Sequence, residues 1–186
     1  MNRSIAAFAL TLLLTGCAGE QAAAPAQAPV APPVAASAAP VGPWTAEISV
    51  KLSGCTSCAD CRAGIRQVSQ TRSGTDRVTF EDGISRMVYP APAPIRVLEA
   101  AQGLSGDALP KVHVDRVELK VAGRSEVRDG GAVFVVFSTG QSWPLAAGKV
   151  EVPPGASCVL DAVVEGWREG TGPVRLKPRT VQLLSP

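Results

Sequence analysis

The chain has 186 residues, 46% of them apolar, and carries 18 basic against 16 acidic side chains for a net charge of +2. So even a balance, with no basic stripe, speaks against nucleic acid as a partner. A single histidine, with no Ser-His-Asp set, phosphate loop or carboxylate pair, speaks against hydrolytic chemistry, and the chain reads as a non-enzyme.

The N-terminus reads as an export signal. Asn2 and Arg3 precede the apolar run Ile5 to Leu14, which is too short to span a bilayer as a permanent helix. It ends in Leu14-Thr15-Gly16-Cys17, which resembles the lipobox of bacterial lipoproteins. That resemblance implies cleavage after residue 16 and diacylglycerol on the Cys17 thiol. The alternative is an ordinary signal peptide with a chance cysteine. Ala18 after the lipidated residue implies, by the enteric pattern, an outer-membrane address facing the periplasm. Residues 17–43 are then the lipidated cysteine and a tether. Six prolines between Glu20 and Pro43 prevent a stable helix. In extended form those residues reach about 75 Å at roughly 3.1 Å each.

Residues 44–115 carry the chemistry. Ile48, Val50 and Leu52 share one face of a strand that Ser53-Gly54 ends. Cys55, Cys58 and Cys61 follow, and Ile65 and Val68 lie at helical spacing, with Thr56 or Ser57 as the expected N-cap. Two strands then flank the turn Glu81-Asp82-Gly83. A short helix through Ile95, Leu98 and Ala101 stops at Gly103, and Lys111 to Val114 resumes a strand. The order is β-α-β-β-α-β.

The run from about residue 46 to 115 resembles the heavy-metal-associated domain of copper chaperones and the periplasmic mercury-binding protein. The likeness rests on Thr56-Ser57-Cys58-x-x-Cys61, the aliphatics Ile65 and Val68, Gly74, Val78 and Val88-Tyr89-Pro90. It implies a ferredoxin-like fold, with Cys58 and Cys61 as metal ligands. Cys55 is an addition to the family pattern, and the family's methionine is missing. Thiolates at a helix N-terminus are expected to have lowered pKa. Soft sulfur selects Cu(I) or Hg(II), and Cys55 would make the site trigonal. Zn(II) is less favoured, because a fourth ligand would have to be recruited from His113 or Cys158. A structural disulfide and a redox dithiol are the competing readings in an oxidising compartment.

From Val112 the apolar phase shifts: Val112 and Val114 are even-numbered, Val117, Leu119 and Val121 odd. Asp115-Arg116 is therefore a seam between domains or a kink in one strand. Residues 116–186 read as β-rich runs between Gly and Pro turns. They resemble a small five-stranded barrel of the oligonucleotide/oligosaccharide-binding (OB) type, with an open meander or half-sandwich as the alternative. Phe134, Phe137, Trp143 and Trp167 are available for stacking or for the core. Cys158 shares a face with Leu160, Ala162 and Val164 and is expected to be buried.

The sequence thus leads to an α+β chain: a ferredoxin-like βαββαβ domain followed by a small OB-like all-β domain. Its expected role is membrane-anchored capture or hand-over of a soft cation, with a metal-transport or metal-resistance protein as possible partner. An envelope interaction module with oxidised cysteines is the alternative.

Overall fold

A computed structural model describes residues 45–168 and 173–184. The export signal, Cys17 and the tether lie outside the described residues, as does the turn at residues 170–172. The elements run β1 (Ala46–Gly54), α1 (Ala59–Ser73), β2 (Val78–Glu81), β3 (Ile84–Tyr89), α2 (Val97–Leu104) and β4 (Val112–Arg128). β5 (Gly131–Val136), β6 (Ser142–Pro144), β7 (Ser157–Glu165) and β8 (Arg175–Leu183) complete the chain.

All eight strands among the described residues belong to one sheet. Its main path is β2-β3-β1-β4-β5-β6, and β7 branches from β4 to pair with β8. The named pairs are antiparallel, and a single parallel bridge joins Leu145 to Leu176. The far half of β4 therefore stands in a ring with β5, β6, β8 and β7. Alternation explains the burial. Ala46, Ile48, Val50 and Leu52 point inward from β1, as do Cys158, Leu160, Ala162 and Val164 from β7. Helix α1 buries Ile65 and Ser69, the latter bonded to Ser85 of β3 across 2.8 Å.

This architecture corrects the fold class expected from the sequence. The chain is not a ferredoxin-like domain followed by an OB-like domain. One large antiparallel sheet with two helices accounts for every described strand. The cause is the phase shift at Asp115. In the β1–β4 pairing, Lys51 faces Arg116 and Leu52 faces Val114, so Asp115 is an extra residue on β4. The shift is a β-bulge that turns the apolar set back to the core without interrupting the strand. Ser53 Oγ donates to Asp115 Oδ1 at 2.7 Å. The Arg168 guanidinium donates to the carbonyls of Val114 and Asp115, each at 3.0 Å, and stacks over Trp167. One apolar cluster accordingly runs from Ile48, Ile65 and Leu104 to Phe134, Leu160 and Leu176.

Smaller expectations also change. Gly103 does not stop α2, which continues to Leu104 and is capped by Ser105. A Cβ at Gly103 would stand 2.4 Å from Arg72 Cγ, so this glycine lets α1 and α2 approach closely. The β2–β3 and β4–β5 turns, Asp82-Gly83 and Asp129-Gly130, have positive φ at their two central residues, the conformation that joins twisted strands tightly. Phe134 and Trp167 are buried, Trp143 packs half-buried against the core, and Phe137 is more than a third exposed.

Two contacts hold the segment before α2. Gln141 accepts the Ile95 N–H at 2.7 Å and donates to its carbonyl at 3.0 Å, tying this segment to the β5–β6 turn. Tyr89 is buried, with its hydroxyl near Ser73 and the Arg96 backbone but meeting neither at hydrogen-bonding geometry. Burial pushes its pKa up to about 12. Gln141→Ala leaves both Ile95 groups unpaired and is expected to lower the unfolding free energy by about 1–3 kcal/mol in urea titration. A loss below about 0.5 kcal/mol would show the tie to be dispensable. Tyr89 is the chain's single tyrosine, so phenolate absorbance near 295 nm reads it alone. The folded protein should titrate near 12, and stability should be steady below about pH 10 and fall as pH rises through that folded value. Tyr89→Phe should remove this fall, and a folded-state titration near 10 would refute the assignment.

Candidate metal and thiol centre

The cysteine loop leaves the sheet at the C-terminal end of β1, between the Asp82-Gly83 turn and the start of β4. On one side the Leu52 N–H donates to the Gly83 carbonyl at 2.7 Å. On the other the Cys55 N–H donates to the Lys111 carbonyl at 2.8 Å. Gly54 makes that second contact possible. Its φ is +87°, and a Cβ there would stand 2.2 Å from the Lys111 carbonyl oxygen. Cys55 is thus fixed to the rigid sheet, whereas Cys58 and Cys61 belong to the helix.

The sequence placed the N-cap of α1 at Thr56 or Ser57. The structure places it at Cys58, whose extended backbone precedes the first turn and whose Sγ accepts the Cys61 N–H at 3.1 Å. A sulfur here does the work usually done by a Ser or Asp oxygen. It does so at the positive end of a 15-residue helix.

The three expected cysteines do come together. The sulfurs of Cys55, Cys58 and Cys61 all lie within 4.8 Å of one another and can hold a metal ion. Cys55 and Cys61 form a disulfide, with Cα atoms 6.3 Å apart, inside the normal span for such a bond. Cys58 is free and exposed, its sulfur 3.5 Å from that of Cys55. Cys55, an addition to the pattern that singled out Cys58 and Cys61, is therefore a full member of the cluster. The sequence had named it as the third sulfur of a trigonal site, and the structure brings it to the other two.

The two possible recruits do not join. His113 is exposed on β4 opposite Ser53 and falls outside the cluster. Cys158 is buried on β7, and burial pushes its thiol pKa up, so it behaves as a small apolar side chain. Among the described residues no fourth Cys, His, Asp or Glu reaches the three sulfurs.

An open groove of about 550 Å³ flanks the loop, with Thr56, Ser57 and Arg62 on one wall and Phe80, Glu81 and Asp82 on the other. A second groove, of about 660 Å³, lies away from the cysteines beside Trp167, Arg168 and Arg175 and contains no cysteine or histidine. Among the described residues no helix is long and apolar enough to cross a membrane. No family model, curated protein or solved structure matches the chain.

The placement of Cys55 depends on Gly54, and Gly54→Ala forces both a left-handed backbone and a clash with the Lys111 carbonyl. The variant should lose about 2 kcal/mol or more of unfolding free energy by chemical denaturation. Unchanged stability with a normal Cys55–Cys61 disulfide would mean that the loop adapts freely.

Proposed function

We propose that this chain is an envelope-anchored, non-enzymatic protein that captures a soft cation on reduced Cys55, Cys58 and Cys61. The observation that carries this reading is the convergence of three sulfurs within 4.8 Å on an exposed loop. Three thiolates suit trigonal Cu(I) or Hg(II). Zn(II) in a closed site wants a fourth ligand, which none of the described residues supplies. An exposed loop also lets a partner's thiolates replace these one at a time, so that the ion is handed over without being freed. A metal-transport or metal-resistance protein is the partner this chemistry suits. The sequence Leu14-Thr15-Gly16-Cys17 supports a lipid anchor on Cys17, and Ala18 after it supports an outer-membrane position facing the periplasm. The proline-rich residues 20–43 would hold the site away from the lipid.

A second reading is favoured by the Cys55–Cys61 disulfide. In an oxidising compartment the bond would stay closed, and the protein would serve as a tethered interaction module for another envelope component.

Metal uptake by the anaerobically reduced chain, with thiols counted first, separates the two. Cu(I) competed against a chromophoric chelator, and Hg(II) in parallel, should bind at one ion per chain. Each of Cys55→Ser, Cys58→Ser and Cys61→Ser should weaken binding by more than the roughly tenfold to hundredfold that loss of an outer-shell partner costs. Full reduction with no uptake of either ion would rule out the metal reading and leave the interaction module.

A further inference from the structure

A disulfide with a free thiol at its side is not a static staple. We propose that Cys58 exchanges with the Cys55–Cys61 disulfide, so that the reactive thiol of this loop is delivered alternately at position 58 and position 61. This goes beyond the metal reading and does not depend on it.

Three observations carry the proposal. The Cys58 sulfur lies 3.5 Å from that of Cys55, at van der Waals contact. It is exposed, so its side chain can turn and reagents can reach it. It also sits at the N-cap of α1, receiving the Cys61 N–H at 3.1 Å. All three sulfurs lie within 4.8 Å, which puts Cys58 beside the disulfide rather than on the extension of its axis. In-line attack therefore needs a rotation about the Cys58 side-chain bonds, a motion that takes picoseconds to nanoseconds for an exposed residue.

The step balances within the molecule. The Cys58 thiolate forms a bond to Cys55 Sγ, the Cys55–Cys61 bond breaks, and its electron pair leaves on Cys61 Sγ. Cys61 then takes up the proton that Cys58 gave up. No oxidant or reductant is consumed, because one disulfide and one thiol are present on both sides. Contact selects the direction, since Cys55 is the sulfur that Cys58 touches. Both backbones are held, Cys55 through its N–H to Lys111 and Cys58 through its carbonyl, which accepts the Arg62 N–H at 3.0 Å. The motion is thus a turn of the exposed Cys58 side chain out of its contact with the Cys61 N–H. Exchange therefore leaves Cys55 disulfide-bonded in both isomers and passes the free thiol between the two helical cysteines. For a thiol-reactive molecule or a partner's disulfide, the loop would then offer two attack positions one helical turn apart.

The test is thiol trapping on the oxidised full chain. Free thiols are alkylated with light N-ethylmaleimide at low and at high concentration and quenched in acid. The rest are then reduced and alkylated with the deuterated reagent. Lys51 and Arg62 place all three cysteines on one tryptic peptide, and fragmentation locates the light label. The expected result is light label on both Cys58 and Cys61 at low reagent, collapsing to one position at high reagent, where trapping outruns exchange. In Cys58→Ser the label on Cys61 should be lost. Label confined to Cys58 at every concentration would overturn the proposal. A Cys58-to-Cys61 ratio that stays the same even when labelling is complete well inside the seconds to hours of disulfide reshuffling would also overturn it, by showing a fixed mixture of isomers. Label on Cys55 in place of Cys61 would overturn the stated direction of attack.

Discussion

The bulge at Asp115 is the constraint on which the rest of the molecule depends. Without it, β4 would carry Val112 and Val114 on one face and Val117, Leu119 and Val121 on the other, and one of these sets would be stranded in water. One extra residue turns both sets to the same core. The strand can then run for 17 residues, about 55 Å at the usual rise, well past the roughly 3–10 residues common in globular proteins. That length lets β4 take β1 and then β5 along one edge while β7 occupies the other. A bulge leaves backbone groups unpaired, and here they are answered. Arg168 reaches from beyond β7 to the Val114 and Asp115 carbonyls, and Ser53 bonds the Asp115 carboxylate.

The cysteine loop inherits its rigidity from this strand. Cys55 hangs from the residue just before β4, and the β2–β3 turn braces the end of β1 from the opposite side. The loop thus presents one sulfur fixed to the sheet and two carried by the first turn of a helix. Surface ion pairs add little to this frame. Arg116 and Arg179 both meet Glu118, and Arg124 and Arg128 both hold Glu126, whose carboxyl they keep below the usual range. Exposed pairs of this kind are screened by solvent and contribute little. The burden of stability therefore falls on the shared core and on β4.

Much of the local structure was legible in the sequence. Alternation marked β1 and β7, Asp82-Gly83 marked the β2–β3 hairpin, and the three cysteines marked the site. The phase shift at Asp115 was equally visible, but its meaning was not. A change of parity is produced alike by a domain boundary and by a bulge, and only the partner strand decides between them. Strand β1 decides here, by skipping one residue. Gly103 was misread for a related reason: a glycine near a helix end looks like a stop, and its role in admitting Arg72 exists only once α1 and α2 are packed. Thr56 and Ser57 are better N-caps by propensity than any cysteine. They were passed over because Gly54 and the Lys111 carbonyl fix where the loop begins, which leaves Cys58 where the first turn starts. The bidentate tie from Gln141 to Ile95, 46 residues away, left no local trace at all.

The same three sulfurs are placed for two chemistries, holding a metal ion and forming a disulfide, that exclude one another. A metal ion needs them as thiolates, and the Cys55–Cys61 disulfide withdraws two of the three. Two electrons therefore decide whether the loop is a three-sulfur ligand set or a single thiol beside a disulfide. Cys158 does not enter this balance, being buried on the far strand. The redox state of the loop thus sets its ligand count directly. In the oxidised state the structure leaves one of the three sulfurs, that of Cys58, outside the disulfide and exposed.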